Sequence, residues 1–90
     1  MKTVRARIEG RVQGVSFRYY TRHEALQLSL TGWVKNMSDG AVEAVFQGSD
    51  GDIEKMLSWL DIGSPHANVG KVVVKQLEND KTYPDFQIVL

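Results

Sequence analysis

Apolar and polar residues alternate near the start of the chain, with Val4, Ala6 and Ile8 separated by Arg5, Arg7 and Glu9. A repeat of two places the apolar side chains on one face, which predicts a strand over about 3–9 with that face buried. Gly10 to Phe17 contains two glycines and no clean period, so it reads as a loop. From Arg18 the repeat lengthens. Thr21, Ala25 and Leu28 fall at i, i+4 and i+7, predicting a helix over about 18–30 that Thr31–Gly32 ends.

Trp33 to Asn36 and Ala41 to Gln47 form the clearest hairpin, turned at Asp39–Gly40. Ser49 followed by Asp52 resembles a capping box. Ile53, Met56, Leu57 and Leu60 then mark one face of a second helix, which Gly63 would close. Lys71 to Leu77 is strand-like, Asn79 to Pro84 is rich in turn formers, and Phe86 to Leu90 reads as a short final strand. The order β-α-β-β-α-β, with room for an extra strand in the last third, predicts an α+β fold. This is the ferredoxin-like split βαβ sandwich: a four-stranded antiparallel sheet with two helices on one face. Residues 1–90 are expected to form one domain.

Eleven basic residues balance eleven acidic ones, which argues against a nucleic-acid partner, since phosphate-backbone binding normally requires a basic excess. The same element order builds an RNA-recognition fold, but there the third strand carries aromatic and basic residues. Here it reads Ala41-Val42-Glu43-Ala44-Val45-Phe46. With no cysteine, the chain has no disulfide, thiolate nucleophile or sulfur-based zinc site. No stretch approaches the roughly 18 apolar residues of a membrane span, and the N-terminus lacks a signal-peptide core. A cytoplasmic protein with no membrane association is expected.

The segment Gly10-Arg11-Val12-Gln13-Gly14-Val15-Ser16-Phe17-Arg18 joins the first strand to the first helix. Gly14 opens backbone conformations in which consecutive amides form an anion-binding nest, and the following helix adds unpaired N–H groups and a positive dipole end. A cation such as Arg18 in a first helical turn is unfavourable by about 0.3–1 kcal/mol unless an anion joins it. No Asp or Glu occurs between Gly10 and Glu24, so a ligand could supply that charge. A guanidinium can grip two phosphate oxygens at once. The plain alternative, a turn followed by a solvated arginine, stays open at this point.

Asn36 precedes the hairpin turn. It is either an Asx-turn residue or an amide that orients a water. His23 and His66 lack partners at metal-ligand spacing, and Ser16 lacks a base. Trp33, Tyr19 and Tyr20 fit packing or sheet-surface roles. No metal or cofactor is expected.

Gly10 to Arg18 closely resembles the acylphosphatase signature G-x-V-Q-G-V-x-F-R. Gly32-Trp33-Val34-Lys35-Asn36, followed by Ser38-Asp39-Gly40-x-Val42-Glu43, resembles that family's second signature. Gly63-Ser64-Pro65 and Asp85-Phe86-Gln87-Ile88 are also family-like, so the resemblance covers essentially the whole chain. It implies a ferredoxin-like fold and a hydrolase that cleaves acyl phosphates to carboxylate and inorganic phosphate, the latter a product and inhibitor. It further implies that Arg18 and the amides of Val12, Gln13, Gly14, Val15 and Ser16 hold phosphate, and that Asn36 positions the attacking water. Met37 stands where many members have Thr, and the Ser16 position varies within the family. A monomer without cofactor is expected. The alternative is a catalytically silent module that binds an anion or docks a partner.

Overall fold

The computed structural model describes residues 1–78 and 81–90. The strands are β1 (Lys2–Arg11), β2 (Thr31–Asn36), β3 (Val42–Gly48), β4 (Asn68–Gln76) and β5 (Phe86–Val89); the helices are α1 (Phe17–Gln27) and α2 (Asp50–Leu60). The sheet order is β4-β1-β3-β2-β5. The first four strands pair antiparallel, and β5 lies parallel to β2 with Gly32 beside Phe86 and Lys35 beside Val89. The α+β, ferredoxin-like plan therefore holds, with five strands rather than four. The stretch read as the final strand supplies the extra one. The stretches read as Lys71–Leu77 and Phe86–Leu90 both form strands, at opposite edges of the sheet, but they end one residue early, at Gln76 and Val89.

The period-two pattern of β1 and β3 explains which face is buried. Val4, Ala6 and Ile8 of β1, Val34 of β2, and Val42, Ala44 and Phe46 of β3 form one apolar surface. Phe17 and Ala25 of α1 and Ile53, Met56 and Leu60 of α2 complete the core. Helix α1 lies over β2 and β5, and α2 over β1 and β3. Phe46 stacks on Phe86 at 5.6 Å between ring centroids, fastening β5 to the core. Burying one such ring contributes about 1.5–3 kcal/mol.

Helix α2 begins as expected: the Ser49 side chain accepts from the Asp52 amide at 3.3 Å. Helix α1 ends at Gln27, earlier than its periodicity suggested. Ser29 takes a left-handed conformation with φ of 56°. The Ser29 and Leu30 amides donate to the Leu26 and Ala25 carbonyls at 3.1 and 2.9 Å, a Schellman closure that usually uses glycine. Strand β4 starts at Asn68, ahead of its β-branched run, because it pairs with β1 as far as Arg11. In the turn-rich stretch Asn79–Pro84, Asn79 and Asp80 lie outside the described residues, and Lys81 to Pro84 form neither helix nor strand.

Two features aim β1 at the loop that follows. The pairing of β1 with β4 shifts register between Glu9 and Gly10, a bulge of the kind that bends a strand. Gly10 adopts φ of 123°, and a Cβ there would collide with the Asn68 carbonyl oxygen and come within 2.6 Å of the Gly70 amide nitrogen. On the open face of the sheet, Arg5 pairs with Glu43 at 3.0 Å, while Arg7 bridges Glu9 and Asp39. The Arg7 guanidinium, through its hydrogen bond, holds the Asp39 carboxyl below its ordinary pKa; the Ala41 amide adds to this.

Gly10→Ala is expected to destabilise the fold by about 1–3 kcal/mol, the usual cost of a strained backbone position. Urea unfolding should show it as a lower midpoint at unchanged slope. Because Asp39 has a depressed pKa when folded, the folded state binds fewer protons there than the unfolded chain. Its stabilisation is therefore complete above the ordinary carboxyl value and is lost as pH falls through the depressed one. The stability difference between wild type and Asp39→Asn, measured by urea titration, should be constant from about pH 8 to 5 and shrink below about pH 4.

Candidate active site

The loop between β1 and α1 exposes its main chain because its side chains are engaged elsewhere. Val12, Val15 and Phe17 point into the core. Gly14 and Ser16 both take left-handed conformations, with φ of 75° and 59°. For serine this costs on the order of 1–2 kcal/mol, so the surrounding structure must impose it. Left-handed residues at such positions produce the concave turns in which successive N–H groups converge. Ser16 is also the N-cap of α1, yet its side chain caps nothing. Among the described residues, no turn, loop or cap hydrogen bond uses an N–H of Val12 to Ser16 as donor.

Side chains hold this loop from two directions. The Gln13 amide group donates to the carbonyls of Met37 and Ala41 at 2.7 and 2.9 Å, joining the loop to the β2–β3 hairpin. From the other side, the buried Ser64 hydroxyl donates to the Val15 carbonyl at 2.9 Å. Neither tie was legible in the sequence, where Gln13 was expected only through its main-chain amide and Ser64 only as part of the family-like segment Gly63-Ser64-Pro65. No periodicity marks a polar strut of this kind.

Val12, Gly14, Ser16, Arg18 and Asn36 line one cavity of about 430 Å³, together with Phe17, Tyr19 and Ile88. Gln13 and Val15 do not line it. Arg18 lies in the first turn of α1, which holds no acidic residue, and it is half-buried. Among the described residues it joins no ion pair. The N-terminal dipole and the guanidinium thus reinforce one another as a seat for an anion.

Asn36 closes the opposite side, as the last residue of β2. Its Oδ1 is buried and has no hydrogen-bond partner among the described residues. The Asx-turn alternative fails here because Asp39 fills that role, accepting from the Ala41 amide at 3.1 Å. A buried acceptor left unsatisfied costs about 1–3 kcal/mol, a penalty that a water or ligand group in the cavity would relieve. Ile88 reaches the cavity from β5, which the local pattern could not reveal because its place depends on parallel pairing with β2. Of the two histidines, His23 lies near Gln27 on the exposed side of α1, and His66 lines a neighbouring hollow. Among the described residues, no three His, Cys, Asp or Glu side chains cluster as metal ligands. No helix among them is long and apolar enough to cross a membrane.

Comparison with known proteins agrees with this geometry. A family model described as acylphosphatase matches residues 4–88. An acylphosphatase of Burkholderia mallei is 46% identical over 87 residues, covering 97% of this chain and 89% of that protein. The crystal structure of acylphosphatase from Bacillus subtilis superposes with a TM-score of 0.97 at 36% identity, covering all of both chains. An acylphosphatase structure from Coxiella burnetii gives 0.93 at 39% identity, covering 98% of this chain and 92% of that one. Similarity that runs nearly end to end, in residues and in backbone path alike, means that the chain belongs to the acylphosphatase family.

Proposed function

We propose that this chain hydrolyses the carboxyl–phosphate bond of acyl phosphates, releasing a carboxylate and inorganic phosphate. The observation that carries the reading is the meeting of Arg18, the left-handed Gly14 and Ser16, and Asn36, whose buried Oδ1 has no hydrogen-bond partner among the described residues, on one cavity. The loop amides and the Arg18 guanidinium hold the phosphoryl oxygens and stabilise the charge that shifts onto them during transfer. Gln13 enters through its main-chain amide, while its side chain keeps the loop and the hairpin in register.

Asn36 accepts a hydrogen bond from the attacking water through Oδ1 and fixes it in line with the breaking bond. The water oxygen forms the new bond to phosphorus, and the carboxylate leaves with the electron pair of the old one. A carboxylate with a pKa near 4 is a weak base, so its departure needs no general acid. A phosphoryl oxygen of the substrate accepts the water's proton. Asn36 itself cannot act as a base near neutral pH, which makes its contribution one of orientation.

Benzoyl phosphate hydrolysis tests this directly. Arg18→Ala should lower kcat/KM by 10²-fold or more, as expected when a preorganised donor to the transferring group is removed. Retention of more than about a tenth of the rate would exclude the assigned role. Asn36→Ala should keep the affinity for inorganic phosphate, measured calorimetrically, while kcat collapses. Equal loss of both would contradict a purely orienting part.

A further inference from the structure

The chain has five arginines, and their partners sort them. Arg5 and Arg7 pair with carboxylates, and Arg22 donates to the Phe86 carbonyl at 3.0 Å. The side chains of Arg11 and Arg18 join no ion pair or hydrogen bond among the described residues, and they flank the same loop. Arg18 lines the cavity described above. Arg11 lines a second cavity of about 410 Å³ with Tyr20 and His66. The two cavities share Gly14 and Ser16, so they meet across the backbone assigned to the phosphoryl group.

The second cavity is built rather than incidental. Ser64 is fixed to the Val15 carbonyl, and the Ala67 amide donates to the Ser64 carbonyl at 3.0 Å, closing a turn that presents His66 beside the loop. Arg11 is the last residue of β1, held by its pairing with Asn68. No carboxylate lines this hollow, which offers a guanidinium, an imidazole and a phenol.

We infer that this second cavity seats an anionic group on the acyl part of the substrate, making Arg11 a specificity-determining residue for acyl phosphates that carry a carboxylate. This rests on the acyl phosphate hydrolysis proposed above. With the phosphoryl group at the shared backbone, the acyl chain extends towards Arg11, whose fork matches a carboxylate with two parallel hydrogen bonds. Tyr20 and His66 supply further donors to the same group.

Kinetics with paired substrates decide the matter. Succinyl and glutaryl phosphates carry a terminal carboxylate, whereas 4-methylpentanoyl and 5-methylhexanoyl phosphates are neutral analogues of similar shape. At low salt, at least one carboxylated substrate should show a kcat/KM about five- to tenfold above its neutral analogue, mostly through KM. Arg11→Gln should erase that preference and leave the neutral substrates unchanged, while Arg11→Lys restores part of it. The preference should also fade as added salt shortens the screening length from about 30 to 3 Å. Equal kcat/KM for the charged and neutral members of both pairs overturns the inference. So does an Arg11→Gln variant that slows neutral substrates as much as charged ones, which would place Arg11 at the phosphoryl group. If the wild-type protein hydrolyses none of the four, the hydrolase reading itself falls, an outcome distinct from hydrolysis without preference.

Discussion

Among the described residues, no N–H of residues 12–16 donates a main-chain hydrogen bond in a turn, loop or cap, so other contacts must hold this loop in shape. That constraint accounts for much of what surrounds residues 12–16. Apolar anchors at Val12, Val15 and Phe17 sink into the core. Gln13 reaches across to two hairpin carbonyls, and Ser64 takes the Val15 carbonyl. The left-handed geometry of Ser16, unfavourable by itself, persists because these contacts over-determine the path of the chain.

The charge distribution follows the same division of labour. On the open face of the sheet, Arg5 pairs with Glu43, and Arg7 with Glu9 and Asp39. Beside the loop, Arg11 and Arg18 join no ion pair among the described residues, and the first turn of α1 contributes a dipole of the same sign. The Arg7–Asp39 bridge and the Gln13 strut both end at the β2–β3 turn, so the hairpin that bears Asn36 is braced on either side.

Much of this was legible in the residues. The alternation in β1 and β3, the Asp39–Gly40 turn and the Ser49 cap each act locally, and each appears where expected. What escaped depends on distant partners or atypical residues. The early end of α1 was hidden because serine, not glycine, takes the left-handed closing position at Ser29. The front of β4 lacks β-branched residues and is drawn into the sheet only by β1. Ile88 joins the cavity through the parallel pairing of β5 with β2, which no short-range pattern encodes. Arg18 and Asn36 stood out as candidates from local context and family resemblance. The burial of the Asn36 oxygen belongs to the three-dimensional arrangement alone.

The placement of β1 at the interior of the sheet bears on how the molecule assembles. Its neighbours are β3 and β4, so Val4 meets Phe46 on one side and Gln76 on the other. Contacts between residues so far apart along the chain make for slow folding, because loop-closure entropy is lost before any pairing compensates. The Gly10 bulge that directs the chain into the loop of residues 12–16 exists only once β4 has docked. The N-terminal segment therefore cannot shape that turn in advance, and the loop should take its form together with cooperative closure of the sheet.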